Sequence, residues 1–145
     1  MPAWQPLGKH RFYIEGMLFL LETGGELTPA EAAQLIQAMT DADKRTPALG
    51  ILVDVAGGFS LPAETRRTIA RLSVEGNSAG RPTIPMAILG ASLPVRALVT
   101  LLINAVQLVG RQRNDLRFFT QRDEALSWLM PLAHKRGEDF PLKRP

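Results

Sequence analysis

Two hydrophobic patterns alternate along the chain. Apolar residues come in short continuous runs, as in "ALGILVDVAGG" and "TIPMAILGA", and between those runs they recur three and four positions apart. Short runs bounded by glycine or proline mark strands buried on both faces, and the wider spacing marks helices with one apolar side. Near the start, "HRFYIEGMLFLLETGG" holds two strand-like stretches, about Arg11 to Glu15 and Met17 to Thr23. Gly16 lies between them, so they form either a tight hairpin or one bent strand. The double glycine after Thr23 is a breaker, and a helix then opens with clear signals. Thr28 is placed to cap it, Pro29 suits its first position and Glu31 completes a capping box. Ala32, Leu35, Ile36 and Met39 supply its apolar face, and the polar run from Asp41 to Thr46, followed by Pro47, ends it.

After the buried run at Ile51 to Val53, a second helix is expected from about Pro62 to Gly76. It turns Thr65, Ile69 and Leu72 inward and Arg66, Arg67 and Arg71 outward. "NSAGRP" reads as loop, "TIPMAILGA" as a strand, and about Leu93 to Val109 as a third helix. "LRFFT" is a last short strand. Thr120 with Asp123 resembles another capping box, opening a helix through Ala125, Leu126, Trp128 and Leu129 that Pro131 breaks or ends. The expected organisation is therefore an N-terminal arm over 1–9, a single domain over 10–131 and a loose tail over 132–145. Strands alternating with helices predict an α/β fold: a mostly parallel or mixed sheet of about five strands with about four helices.

The third helix departs from the usual amphipathic balance. In "SLPVRALVTLLINAVQLVGR" the polar residues Arg96, Thr100, Asn104, Gln107 and Arg111 form one narrow stripe, and the rest is almost wholly Leu, Val, Ile or Ala. A helix covering one sheet face needs much less apolar surface. Val95, Leu98, Leu101, Leu102 and Val106 are thus candidates for a homo-oligomer contact. An apolar ligand pocket or cover by neighbouring elements would also account for them. The polar stripe and the length argue against a membrane span.

Composition narrows the functions. The 145 residues suit one domain with its own core, and a hydrophobic content of 46% with 21% charged residues is ordinary for a globular protein. Cysteine is absent, which excludes disulfides, thiolate metal sites and thiol nucleophiles and fits a cytoplasmic setting. The pI of 9.8 looks basic, yet the net charge is only +3 and basic residues are interleaved with acidic ones, which argues against nucleic-acid binding. His10 and His134 lie far from the central strands in sequence, no metal-ligand spacing occurs, and no cofactor is implied.

The stretch with most chemical promise is "ILVDVAGGFSLPAETRR" at 51–67. Asp54 ends a buried strand, the place where open α/β sheets bind ligands. Amides at Gly57 and Gly58 with the next helix start would suit an anion, assisted by Arg66 and Arg67. Pro62, however, lacks one of those amides, and neither a Walker loop nor GxGxxG is present. The plainer reading is a sharp reversal with Ser60 capping the helix.

The succession of elements, with "ILVDVAGG" followed by "ETRRTIARL", resembles the STAS domains, the anti-sigma-factor-antagonist fold. "LRFFTQRDEALSWL" resembles a divergent STAS-like group of small bacterial proteins. The resemblance covers roughly Phe12 to Leu129 and implies a non-enzymatic regulatory module that works by protein–protein contact. Asp54 matches the family's strand-end aspartate. The family's Asp-Ser-x-Gly phosphorylation motif is missing: "LPAE" stands where it belongs, and Ser60 lies before that place. The contact surface implied is the loop from Asp54 to Glu64 with the exposed face of the second helix. A pocket for an apolar or anionic small molecule near Asp54 is the alternative.

Overall fold

The structure is a computed structural model that describes residues 3–46, 49–76, 84–110 and 115–139, without the side chains of 73–76, 105–110 and 139. Its strands are β1 (Gln5–Leu7), β2 (His10–Glu15), β3 (Leu18–Glu22), β4 (Gly25–Glu26), β5 (Gly50–Asp54), β6 (Phe59–Ser60), β7 (Met86–Leu89) and β8 (Leu116–Phe119). The helices are α1 (Pro29–Arg45), α2 (Ala63–Gly76), α3 (Leu93–Gly110) and α4 (Arg122–Asp139).

Six strands form a mixed sheet in the order β1-β2-β3-β5-β7-β8. The β1–β2 and β2–β3 pairs are antiparallel, so the stretch split by Gly16 is a hairpin, and every pair from β3 to β8 is parallel. β4 and β6 make a separate two-stranded parallel ribbon that the hydrophobic pattern does not predict. Two-residue strands are too short to show a period.

The parallel strands are apolar on both faces because both are covered. Phe19, Leu21, Ile51, Val53 and Ile88 point to the face packed by α1 and α3. Leu20, Leu52 and Ala87 point to the other face, where Ala125 and Leu129 of α4 lie. α2 rests on α1 and α3. α1 starts as its sequence requires. The Glu31 amide donates to the Thr28 hydroxyl at 3.2 Å, and the Thr28 amide donates to the Glu31 carboxylate at 2.9 Å. α4 begins at Arg122, with the Gln121 carbonyl accepting from Ala125, so Thr120 precedes the capping position.

Two expectations at the chain ends are corrected. Pro131 does not end α4, which continues through it to Asp139. An interior proline costs a helix roughly 3 kcal/mol in isolation. Here the turns beyond it carry their own anchors, since Ala133 and Arg136 are both buried. Leu129, Ala133 and Arg136 are four and three residues apart and share the inward face. Residues 132–139 are therefore part of the domain. The first nine residues are not a separate arm either, because β1 joins the sheet. Trp4 packs edge-on against Tyr13 with ring centroids 4.6 Å apart, and the Arg11 guanidinium lies 3.9 Å over the Trp4 ring.

Arg136 ties α4 to α1 through a two-pronged contact with the Asp43 carboxylate, at 2.5 and 3.2 Å, with both side chains mostly buried. Removing one partner of such a pair strands a charge away from water. Arg136→Met is expected to lower unfolding stability by about 3 kcal/mol in urea titration, and Arg136→Lys by less, since lysine keeps the charge without the fork.

Candidate functional site

β5 delivers Asp54 to the carboxyl edge of the sheet, and the chain then reverses through the two glycines. The turn is held from inside. One Asp54 carboxylate oxygen accepts the Ala56 amide at 3.0 Å, and the Gly58 amide donates to the Val55 carbonyl at 3.0 Å. Thr23, at the end of β3, clasps the turn from the neighbouring strand. Its amide donates to the Asp54 carbonyl at 3.0 Å, and its buried hydroxyl donates to the Gly58 carbonyl at 2.6 Å. This close approach explains the glycines. A Cβ on Gly57 would sit 2.7 Å from the Thr23 carbonyl oxygen, and Gly58 has φ +109°, a conformation L side chains rarely adopt.

Beyond the turn the chain does not enter the helix directly. Phe59 and Ser60 pair with Gly25 and Glu26 as the ribbon, and the Ser60 carbonyl accepts from Leu27. α2 starts only at Ala63, where the Pro62 carbonyl accepts the Arg66 amide. Pro62 thus occupies the capping position, so the expectation that Ser60 caps the helix is corrected. The same interval separates the Gly57-Gly58 turn from the α2 N-terminus. With the Gly58 amide already used, the two do not combine into an anion cradle.

His10 supports this region in a way its position in sequence did not reveal. Its ring is buried; Nδ1 accepts the Gly24 amide at 3.0 Å, and Nε2 lies 3.1 Å from the Glu26 carbonyl oxygen. An amide N–H can only donate, so the ring proton is on Nε2, which donates to Glu26. Glu31 stands 3.8 Å from the same nitrogen. Both ring nitrogens are engaged in holding β4, which leaves His10 no lone pair for general-base work. Thr65 completes the support: wholly buried, it donates to the Leu27 carbonyl at 2.7 Å. The signal in sequence was the pair of double glycines, Gly24-Gly25 and Gly57-Gly58, which lie side by side in the fold.

The remaining site candidates separate into two groups. Glu64 is exposed in the first turn of α2, while Arg66 and Arg67 look toward α3. There they line an open groove of ≈ 310 Å³ with Ala63, Ala70, Leu101 and Leu102, in which neither Asp54 nor Ser60 takes part. On α3, Val95, Leu98 and Leu102 are half-buried against the domain's own core, so intramolecular packing absorbs most of the apolar excess. Leu101 remains 65% exposed and Leu93 79%. Val106, Gln107 and Arg111 lie outside the described residues or side chains. Among the described residues no cluster of three or more His, Asp or Glu could hold a metal ion, and no helix is long and apolar enough to cross a membrane.

A mixed sheet with an antiparallel hairpin at one edge, three crossover helices on one face and a last helix on the other defines a distinct class of α/β fold. Solved structures place it. An uncharacterised DUF3478-family protein from Shewanella loihica with a SpoIIAA-like fold matches 89% of this chain and 92% of its own, at 16% identity and TM-score 0.53. The anti-sigma factor antagonist SpoIIAA in its unphosphorylated form matches 87% of this chain and 96% of its own, at 13% identity and TM-score 0.50. A candidate anti-sigma factor antagonist from Thermotoga maritima matches 81% and 92%, at 14% identity and TM-score 0.51. The chain has the SpoIIAA-like, or STAS-like, fold, as its sequence pattern suggested. No protein-family model and no curated protein matches it.

The geometry of the turn sets a direct comparison between one glycine-to-alanine and one serine-to-alanine change. Gly58→Ala forces a side chain into a strained backbone and is expected to cost about 2 kcal/mol in thermal or urea unfolding. Ser60→Ala, exposed and held through its backbone, should change stability by no more than about 0.5 kcal/mol.

Proposed function

We propose that this chain is a non-enzymatic regulatory module of STAS-like type that acts by protein–protein contact and lacks the phosphorylatable serine motif. The observation that carries this reading is how the strand-end turn spends its polar groups. An Asp54 carboxylate oxygen, the Gly58 amide and the Thr23 hydroxyl are all consumed in shaping the backbone, and His10 is consumed beside them. A site built to transform or enclose a small molecule keeps such groups convergent on an open space. A rigid turn next to an exposed helix face is instead suited to recognition by shape and charge. The contact surface in this reading is the loop from Asp54 to Glu64 with the outer face of α2.

The fold comparisons support the choice of class, since two of the matched proteins are described as anti-sigma factor antagonists or candidates for that role. Bacterial signalling in the cytoplasm is the setting that fits. The competing reading, an apolar or anionic ligand held near Asp54, is disfavoured because one Asp54 carboxylate oxygen and the Gly58 amide are already spent on the turn. Self-association through α3 is a second reading, favoured by the exposure of Leu93 and Leu101.

Affinity capture from the source cells, followed by native mass spectrometry, tests the main reading. Wild-type chain is expected to retain a polypeptide at fixed stoichiometry. The charge-reversed Glu64→Lys/Arg71→Glu protein should lose most of it while unfolding at the same urea midpoint. A bound small molecule with no polypeptide would overturn the proposal. For self-association, Leu101→Glu should stay folded and shift a dimer to monomer in light scattering; a wild-type monomer at high concentration ends that reading.

A further inference from the structure

From the groove between α2 and α3 we infer a specific kind of partner: an acidic amphipathic helix of another protein. The inference rests on the protein–protein reading above and deepens it by assigning the chemistry of what docks. Three observations carry it.

The first is shape. Ala63, Arg66, Arg67 and Ala70 are spaced at i, i+3, i+4 and i+7, so a single face of α2 forms one wall over about 10 Å, or two helical turns. The alanines at its ends leave room for another helix to approach closely, and Leu101 and Leu102 form the apolar opposite wall. Next to the groove, Leu93, Ala97 and Leu101 are exposed at intervals of four along α3, which extends the apolar track along the helix. The spacing matches that of anchors on a docked amphipathic helix.

The second is charge. In sequence the two helices carry Arg66, Arg67, Arg71 and Arg96 against the acids Glu64 and Glu75, and Glu64 is the acid beside the groove-lining Arg66 and Arg67. Among the described residues, Arg66, Arg67 and Arg71 have no carboxylate partner. Unpaired guanidiniums beside an apolar floor favour Asp or Glu flanking the partner's apolar anchors and repel a basic helix.

The third is openness. Small-molecule sites enclose most of their ligand. This groove is open to solvent and continuous with exposed leucines, which suits a long helix rather than a compact amphiphile. A second copy of the chain docked symmetrically on this groove would bring like-charged arginines together.

The test is selection of a displayed library of helical peptides, about four turns long, on the immobilised full chain, with binding of the selected peptides read by fluorescence anisotropy. Enriched peptides are expected to carry apolar residues at i, i+3 or i+4, and i+7, flanked by Asp or Glu. Their affinity should fall by at least about tenfold for Arg66→Glu/Arg67→Glu, and should fall as salt rises. Lysine versions of the same peptides should prefer the reversed protein. Enrichment of neutral or basic peptides, equal binding to the reversed protein, or no enrichment would overturn the inference. So would displacement of peptide-free chain to monomer by the same double change, which would make the groove a self-contact. In the cell capture, a polypeptide retained by Arg66→Glu/Arg67→Glu but lost by Glu64→Lys/Arg71→Glu would remove the groove assignment and leave the module reading standing. Capture of no polypeptide removes both.

Discussion

Burial of β5 on both faces is the constraint from which the architecture follows. Ile51 and Val53 face one side and Leu52 the other, all essentially without solvent contact. A strand of that kind needs hydrogen-bonded neighbours on both edges and helices over both faces. β3 and β7 supply the edges in parallel. Parallel pairing requires long crossovers, and α1 and α2 lie in those crossovers, with α3 carrying the chain on to β8. Among the described residues the helix on the opposite face is α4, and Leu20, Leu52 and Ala87 are met there by Ala125 and Leu129, with Trp4 and Tyr13 packed beside them. The position of Asp54 is a product of the same constraint, because the central strand must end where the chain turns out of the sheet.

Chemistry at that strand end is subordinate to geometry. Parallel strands leave carbonyls and amides at their carboxyl edge, and unpaired groups of that kind cost free energy unless something accepts or donates. Thr23, Asp54 and His10 settle these demands between them. The result is a turn whose shape is held by its own polar groups, while Arg66, Arg67 and Arg71, without a carboxylate partner among the described residues, lie one helix away on α2. That division leaves the loop fixed by its own hydrogen bonds and the charged side chains of α2 outside them.

The legible parts of the fold were those with a long period or a strong local signal. The Thr28–Glu31 capping box and the continuous apolar run of β5 were both readable because local propensity and tertiary burial agree there. Pro131 misled because its local penalty is outweighed by the burial of Ala133 against β5 near Gly50 and of Arg136 against Asp43, contacts made only in three dimensions. Trp4 and β1 depend on pairing with β2, and the β4–β6 ribbon depends on two distant glycine pairs meeting; neither leaves a period in sequence. At the site, the glycine turn was readable as a turn and Arg71 as outward, whereas Arg66 and Arg67, also expected to face outward, line the groove toward α3. Ser60 was misassigned as a cap because the serine and the helix start are separated by a ribbon that only the fold reveals. The groove was invisible, since it joins residues 63–70 with residues 101–102.

The contact between Arg136 and Asp43 also bears on the order in which the domain can be built. It joins residues 93 positions apart. Until α4 has left the ribosome, one face of the sheet lacks its helix, and Leu20, Leu52 and Ala87 remain a largely open, greasy surface during synthesis. Every earlier element can form local structure, but α4, which covers this face, follows all of the sheet strands in sequence. The nascent chain therefore passes through a stage in which the sheet strands exist and this face is still adhesive, until α4 follows them.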